Sequence, residues 1–234
     1  MPLLDDLRSQ TERIVRAAWK RRDGIVVPET DAVALGNEAV NLDATFLYAD
    51  LADSTELALQ SQPIAAEVCK AYLMGTTRII RALGGEIRSY DGDRVMGVFV
   101  EGAKNTAAAE AALKINYFFS NILQPAFTEF YTSTTLALNQ TVGIDTSKVM
   151  VVRSGIRNNN DLVWVGRAPN VAAKLSGIRE GYAAYITKAV FDVMMDTGKY
   201  STVSGELMWE PRTWNAGKGY GVENVYRSNW TWEP

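Results

Sequence analysis

The sequence predicts an α+β domain in which helices pack on one face of a mostly antiparallel sheet. Three segments lead to this prediction: an apolar run over residues 44–49, a helical pattern over residues 64–83 and a hairpin over residues 86–100. A second helical pattern and further strands follow, so the order is strand, helix, hairpin, helix, strand. That order favours a sandwich of one helical layer and one sheet.

An N-terminal extension precedes this domain. Leu4, Leu7 and Ile14 lie on one stripe at helical spacing, and the basic cluster 20–22 follows them. The helix could pack on its own domain, on a second copy or on a membrane surface. Because residues 26–42 contain proline, glycine and several acids, we expect an irregular connection there. We therefore divide the chain into an N-terminal helix and connection, residues 1–41, and a domain, residues 42–234.

The rest of the domain is expected to alternate between helices and short strands. The expected elements are a helix at 106–123, a pair of strands at 134–144 and 148–152, a strand at 162–165, a helix at 170–178, a strand at 184–187, a helix at 189–195 and closing strands near Leu207 and Val225.

Composition narrows the possible functions. The 234 residues include 24 basic and 27 acidic side chains, a net charge of −3, so the chain lacks the basic field of a nucleic-acid-binding protein. No apolar run approaches the roughly 20 residues needed to cross a bilayer, and the N-terminus lacks the pattern of a signal peptide. We expect a cytoplasmic location and no integral membrane segment.

Histidine is absent and Cys69 is the only cysteine. Mechanisms that pair serine or cysteine with histidine are therefore excluded, as are intramolecular disulfides. Cys69 lies in a helical pattern and is expected to be a small buried residue. Catalysis by this chain must use carboxylates, metal ions, lysine or arginine.

Two aspartates are the leading candidates for a metal site. Asp50 ends the apolar run, and Asp93 follows a turn-like Asp-Gly pair, so the two carboxylates can meet across a sheet and bind hard cations. After Asp50, a short polar stretch containing Ser54 and Thr55 leads into a probable helix at 56–60. The unsatisfied N–H groups at such a helix start suit a triphosphate. Taken alone, Asp50 or Ser54 could instead cap this helix, and Asp93 could be an ordinary turn residue.

Four blocks in the chain resemble those of the class III nucleotidyl cyclases. The blocks are Asp50–Thr55, Gly84–Glu86 with Gly92 and Asp93, Val142–Ile144, and Gly166–Leu175. Their order is that of the family, and they extend over most of the predicted domain. The chain is accordingly identified as similar to a class III catalytic domain, whose fold is a ferredoxin-like sheet with helices.

This resemblance implies a two-metal cyclisation. Asp50 and Asp93, with the carbonyl of Leu51, would bind two divalent cations, Mn²⁺ or Mg²⁺, and the ribose 3′-oxygen would attack the α-phosphorus as pyrophosphate leaves.

The resemblance also implies active sites shared between two catalytic domains. Asn170 matches the family's transition-state asparagine, whereas the family's arginine one helical turn later is Lys174, which lacks the guanidinium fork. Candidates to replace that arginine are Arg153, Arg157 and Arg167. Lys218 resembles a late Lys-Gly segment that contacts the triphosphate. Since one chain carries both kinds of residue, we expect a head-to-tail homodimer with two equivalent sites.

The base-selecting positions depart from the purine pattern. Ser89 and Val163 stand where purine cyclases of this class often have lysine and aspartate. Arg88 and Tyr90 flank Ser89, and regular strand alternation would place both on one face, where the tyrosine ring would leave room only for a smaller base.

These features resemble the pyrimidine cyclases of bacterial Pycsar anti-phage systems. The implied reaction is the conversion of UTP to 3′,5′-cyclic UMP, a messenger for a separate effector. A cytidylate cyclase, a purine cyclase with an atypical pocket and a nucleotide-binding homologue without activity remain alternatives.

Overall fold

The computed structural model describes residues 2–132 and 138–234, and in this part of the chain nine strands form one sheet. The strands are β1 Lys20–Asp23, β2 Glu38–Ala52, β3 Glu86–Asp91, β4 Arg94–Phe99, β5 Asn139–Ile156, β6 Asn159–Val165, β7 Ala184–Thr187, β8 Glu210–Thr213 and β9 Asn224–Ser228. Seven of them run in the order β3-β4-β2-β5-β7-β9-β8, while β1 pairs with β2 and β6 with β5. Only the β1–β2 and β5–β7 pairs are parallel, so the prediction of a mostly antiparallel sheet is confirmed.

The predicted helices occur in the predicted order, and two short helices, at 124–130 and 196–199, were not predicted. The helices are α1 Leu3–Arg16, α2 Ser54–Gln60, α3 Gln62–Ala82, α4 Lys104–Phe118, α5 Gln124–Phe130, α6 Arg167–Ser176, α7 Lys188–Val193 and α8 Asp196–Lys199. A π-helical turn, Phe119–Leu123, joins α4 to α5, and 3₁₀ turns occupy Thr30–Ala32 and Asn215–Tyr220.

The two faces of the sheet bury different apolar clusters. On one face, which we call the α3 face, α3 and α4 cover a core that includes Leu47, Val95 and Ile144. The opposite face, which we call the α6 face, buries Phe46 and Val98 with α6. Most helices therefore pack on one face as predicted, and α6 is the exception that covers the other.

Gly143 of β5 allows α6 to lie against the sheet. A Cβ at this position would approach the carbonyl oxygen of Ala172 to 2.2 Å, so only glycine admits the helix at this distance. The glycine of the Val-Gly-Ile block thus has a packing role, because it allows α6 to lie close to β5.

The predicted pair of strands at 134–144 and 148–152 is wrong where it can be compared, because β5 continues without a break from Asn139 to Ile156. Residues 134–137 of the first strand lie outside the described residues. Residues 145–147, which the prediction left between the two strands, stay in β5, where fully buried Asp145 accepts hydrogen bonds from Arg167 and Thr187.

The N-terminal region differs from the prediction in two respects. None of the α1 side chains is buried, so packing of this helix on its own domain is wrong. The basic cluster forms β1, which pairs with the beginning of β2, so the proposed boundary between residues 41 and 42 falls inside a strand of the sheet. None of the described helices is both long enough and apolar enough to span a bilayer.

Candidate active site

Asp50 and Asp93 come to the same end of the sheet. Asp50 near the end of β2 pairs with Arg94 of β4, and Asp93 in the β3–β4 turn directly precedes that arginine. Burial raises the pKa of the Tyr72 phenol above its usual range, and the charges of both aspartates add to the rise. The two carboxylates therefore lie within electrostatic reach of one buried hydroxyl on α3, which sequence reasoning did not identify.

Neither Asp50 nor Ser54 caps a helix, so that alternative is wrong. The residue before α2 is Asp53, in the left-handed conformation with φ of 65°, and no side chain caps the helix. The Asp53 carboxylate accepts a hydrogen bond from the Asn139 amide at 3.3 Å. Because α2 begins at Ser54 and not at residue 56, Ser54 and Thr55 lie in its first turn, where backbone N–H groups lack intrahelical partners.

The two metal candidates differ in their present partners. The Asp50 side chain is 15% exposed, and its carboxylate contacts the Arg179 guanidinium at 2.7 Å. Among the described residues no hydrogen bond or ion pair involves the Asp93 carboxylate, whereas neighbouring Asp91 pairs with Arg94 at 2.7 Å. The site thus contains one carboxylate held by a cationic group and one that is available.

Arg179 is the main residue that sequence reasoning missed. It lies just beyond α6, outside the four family blocks, and 129 positions separate it from Asp50. Its only signal in the sequence was a positive charge directly after the predicted helix at 170–178.

Asn170 and Lys174 lie one turn apart on the exposed side of α6, as the spacing predicted. The Asn170 amide donates to the Gly166 carbonyl at 2.9 Å. The Lys174 ammonium lies 5.3 Å from the centre of the Tyr220 ring, which ends the 3₁₀ turn that carries Lys218. The fold therefore brings the late Lys-Gly segment beside α6.

No hydrogen bond or ion pair within residues 2–132 and 138–234 joins Asn170, Lys174 or Lys218 to the two aspartates. Within the described residues, direct polar contacts therefore do not link the two sets.

The three arginines that could replace the family's arginine have different surroundings. Arg153 is tied to the Asn160 side chain at 2.6 Å. Arg167 forms an ion pair with buried Asp145 at 3.1 Å, and Arg157 lies in the exposed β5–β6 turn. Burial raises the pKa of the Asp145 carboxyl, although the hydrogen bond from Thr187 and the charge of Arg167 oppose the rise.

The regular alternation that would place Arg88 and Tyr90 on one face does not hold, because a β-bulge between Ile87 and Ser89 interrupts it. Burial raises the pKa of Glu86, and the charge of Arg88 opposes the rise. Glu86 pairs with Val98 and lies on the α6 face, whereas Arg88 falls at the bulge, where the register gives it no partner on β4. The Arg88 Nε is buried without a hydrogen-bond partner in the described chain.

Tyr90 belongs to the opposite face. It pairs with Val95 of the α3-face core, and its hydroxyl is hydrogen bonded to the Thr77 hydroxyl of α3 at 2.9 Å. Ser89 pairs with Met96 of the α6-face core, whereas Val163 lies on β6 and is 45% exposed. The steric argument from Tyr90 assumed regular alternation along the strand, and that assumption does not hold. Arg88 and Ser89 remain the candidates for contact with the base.

No protein-family model matches the chain. Two curated proteins named uridylate cyclase match it along its length: one from Xanthomonas perforans is 42% identical, with 99% of both chains covered, and one from Rhodovulum sp. (strain MB263) is 39% identical, with 100% of this chain and 99% of the relative covered. The chain belongs to the uridylate cyclase family. It is a nucleotidyl cyclase, as the sequence predicted.

Solved structures confirm the fold. The adenylyl cyclase CyaB from P. aeruginosa superposes with a TM-score of 0.69 at 22% identity, covering 82% of this chain and 95% of that one. A class III adenylyl cyclase-like ATP-binding protein from Pseudomonas aeruginosa superposes with a TM-score of 0.63 at 14% identity, covering 82% and 43%. Their similarity to this chain lies in the class III fold.

Proposed function

We propose that this cyclase converts UTP to 3′,5′-cyclic UMP and pyrophosphate. The observation that carries the proposal is the match along the whole chain to relatives named for uridylate. The surroundings of Arg88 support it, because a half-buried guanidinium with an unpartnered Nε suits a base carbonyl, and uracil offers two. In the absence of the lysine and aspartate of purine cyclases, Ser89 and Val163 present a small hydroxyl and an apolar surface.

The donors at the end of β2 fit divalent cations. Asp50 already binds a cationic group, and Asp93 lacks a partner within the described residues. Nowhere in that part of the chain do three or more acidic, cysteine or histidine side chains cluster as metal ligands. We therefore propose that the two aspartates and the Leu51 carbonyl bind two cations, Mn²⁺ or Mg²⁺, whose remaining ligands are phosphate and water oxygens. Bound there, the cations would neutralise the triphosphate and acidify the ribose 3′-hydroxyl.

The chain's own groups then orient the substrate. The N–H groups of Ser54 and Thr55 at the start of α2 face the phosphates, and Asn170 orients the ribose. Lys174 and Lys218, which the Tyr220 ring keeps in one neighbourhood, add positive charge where pyrophosphate leaves. The 3′-oxygen forms its bond to the α-phosphorus as the bond to the β-phosphate oxygen breaks.

We propose a homodimer, which is supported by the lack of any hydrogen bond or ion pair between the two sets within the described residues. Asn170, Lys174 and Lys218 of one copy would complete the site formed by the aspartates of the other, giving two equivalent sites. By resemblance to the Pycsar cyclases, we propose that the product signals to a separate effector in anti-phage defence, in the cytoplasm where UTP is found.

The first experiment tests the substrate. The purified protein is incubated with Mn²⁺ and separately with ATP, GTP, CTP or UTP, and products are identified by mass spectrometry. Cyclic UMP from UTP alone is the expected result. Formation of cyclic CMP would identify CTP and not UTP as the substrate. A cyclic purine nucleotide would refute the pyrimidine assignment, and nucleotide binding without any product would favour a homologue without activity.

The second experiment tests the cation site. We expect Asp93→Ala to lower turnover by at least about 100-fold while the dimer persists, since a carboxylate ligand is lost. Asp91→Ala, in the same hairpin, is the matched control and should stay within a few-fold of the parental rate. Parental turnover by Asp93→Ala would contradict the two-cation site.

Mixing variants tests the shared site. Asp93→Ala and Asn170→Ala dimers should each be nearly inactive, but an equal mixture allowed to exchange should recover about a quarter of the parental activity, because half the dimers are mixed and each keeps one intact site. A mixture as inactive as its components would refute sharing.

A further inference from the structure

The guanidinium of Arg179 forms an ion pair with the carboxylate of Asp50. One terminal nitrogen contacts the Asp50 carboxylate at 2.7 Å. The other donates to the Ser176 carbonyl at 2.6 Å and to the Ile178 carbonyl at 3.3 Å. The side chain is 39% exposed, so it is held at both ends of the guanidinium and still borders solvent.

Arg179 and a divalent cation compete for the same carboxylate. An oxygen of Asp50 that accepts a short, charge-assisted hydrogen bond cannot also coordinate a cation without weakening that bond. A bound cation would in addition repel the guanidinium. The hydrogen bond involves one carboxylate oxygen, Oδ2, so a cation that takes this oxygen displaces Arg179 from Asp50.

A polar cavity next to this ion pair offers the guanidinium another position. The cavity has a volume of about 330 Å³ and is lined by Arg179, Asp53, Asn139 and Thr141 among others. Asp53 directly precedes Ser54 and Thr55, where the proposed function puts the triphosphate. The Asp53 wall of the cavity adjoins that position, so a guanidinium that leaves Asp50 can turn through the cavity towards the triphosphate, and its planar fork matches two phosphate oxygens.

We propose that Arg179 is a substrate-positioning residue with two partners. It holds Asp50 while the site lacks cations, and it transfers to the triphosphate when the cations and the nucleotide bind. This inference rests on the proposed cation site and goes beyond it, because it assigns a role to a residue outside the family blocks. Binding of the cations and binding of the triphosphate are thereby coupled: the cations release Arg179 from Asp50, and the triphosphate accepts the released guanidinium.

The test measures binding and not turnover. Mn²⁺ affinity is obtained from the electron paramagnetic resonance signal of free Mn²⁺, on the full-length protein without nucleotide. We expect Arg179→Ala to bind Mn²⁺ about two- to fivefold more tightly than the parental protein, the range for loss of one partly exposed ion pair. Inorganic tripolyphosphate with Mn²⁺ should bind the same variant at least about tenfold more weakly, because a charged hydrogen-bond donor is lost.

Two further variants support the comparison. Arg179→Lys keeps the charge without the fork, so its Mn²⁺ affinity should stay near the parental value while its affinity for tripolyphosphate falls. Arg212→Ala removes a nearby exposed ion pair with Glu180 and should change neither affinity.

Opposite shifts of the two affinities in Arg179→Ala are the required result. Unchanged affinities, or weakening of both, would overturn the inference and leave Arg179 as a tie between α6 and β2. Asp50→Asn separates this failure from failure of the cation site. If Asp50→Asn binds Mn²⁺ as tightly as the parental protein, the cation site itself is wrong. Because tripolyphosphate carries no base, the result does not depend on the choice of uracil.

Discussion

Replacement of Gly143 by alanine tests how the fold positions the active site. The added Cβ would lie 2.2 Å from the carbonyl oxygen of Ala172, 2.4 Å from the backbone nitrogen of Ser176 and 2.7 Å from the Cβ of Leu175. Real Cβ atoms essentially never approach other atoms closer than 3.0 Å, so α6 must move away from the sheet by about 1 Å. The atoms in the way belong to backbone or to the root of a side chain, and no rotamer change relieves the overlap.

The displacement should cost both stability and turnover. Overpacking of this kind lowers the free energy of unfolding by about 1–3 kcal/mol, and contact with helix backbone puts Gly143→Ala at the upper end. The same helix carries Asn170 and Lys174, and a shift of about 1 Å in positioning groups can cost 100-fold in rate. Asp93, on a hairpin at the other side of β2, should keep its place.

The assay pairs Gly143→Ala with Gly177→Ala. A Cβ on Gly177, at the end of the same helix, would meet the Lys174 carbonyl at an ordinary 3.5 Å, with φ of −85°. Denaturant unfolding gives the change in free energy, and turnover of UTP gives the change in rate. Gly177→Ala should resemble the parental protein in both. A Gly143→Ala variant with parental stability and turnover would refute the argument that the close approach of α6 to β5 sets the geometry of the site.

Two further predictions concern Arg167 and Arg88. Arg167→Ala should lower the free energy of unfolding by about 3 kcal/mol, because it leaves the fully buried Asp145 carboxylate without its cation. Arg167→Lys should recover part of that loss. Urea denaturation measures both changes, and an unchanged unfolding midpoint for Arg167→Ala would contradict the importance of the buried ion pair. Arg88→Ala should lower kcat/KM for UTP by about tenfold and reduce the preference of the enzyme for UTP over ATP. Tyr90→Phe should leave that preference unchanged, because Tyr90 lies on the α3 face. The measurement is kcat/KM for each of the four nucleotides, and the reverse pattern would restore the steric role of Tyr90.

Local patterns predicted the elements that position the metal candidates. The period of the apolar residues identified α3, and the Asp-Gly pair after a strand-like run identified the β3–β4 hairpin. Asp50 and Asp93 stood out because a carboxylate at the end of a buried strand and another in a tight turn are both set by neighbours in sequence. Local chemistry was enough to find the part of the site formed by one hairpin and one strand.

Features that depend on pairing between distant segments were not predictable in the same way. The bulge at Arg88 exists only in the register of β3 against β4, and it reverses the face that regular alternation assigns to Tyr90. The unbroken β5 depends on Arg167 and Thr187, which satisfy a carboxylate that looked like the end of a strand. In each case a tertiary contact overrode a local rule that would otherwise have held.

The contact between Arg179 and Asp50 shows why the candidate site is more than its motif residues. A motif identifies groups that recur at fixed spacing, but a guanidinium 129 positions away is found only when the end of α6 is seen against the end of β2. Within the described residues, Asn170 and Lys174 make no hydrogen bond or ion pair with the aspartates of their own chain, whereas Arg179 contacts one of those aspartates directly. In this protomer Arg179 already balances the negative charge of Asp50, so a cation at the proposed site would compete with an internal group. Entry is favoured when a triphosphate is present to receive the displaced guanidinium, which would make the site selective for cations that arrive with nucleotide.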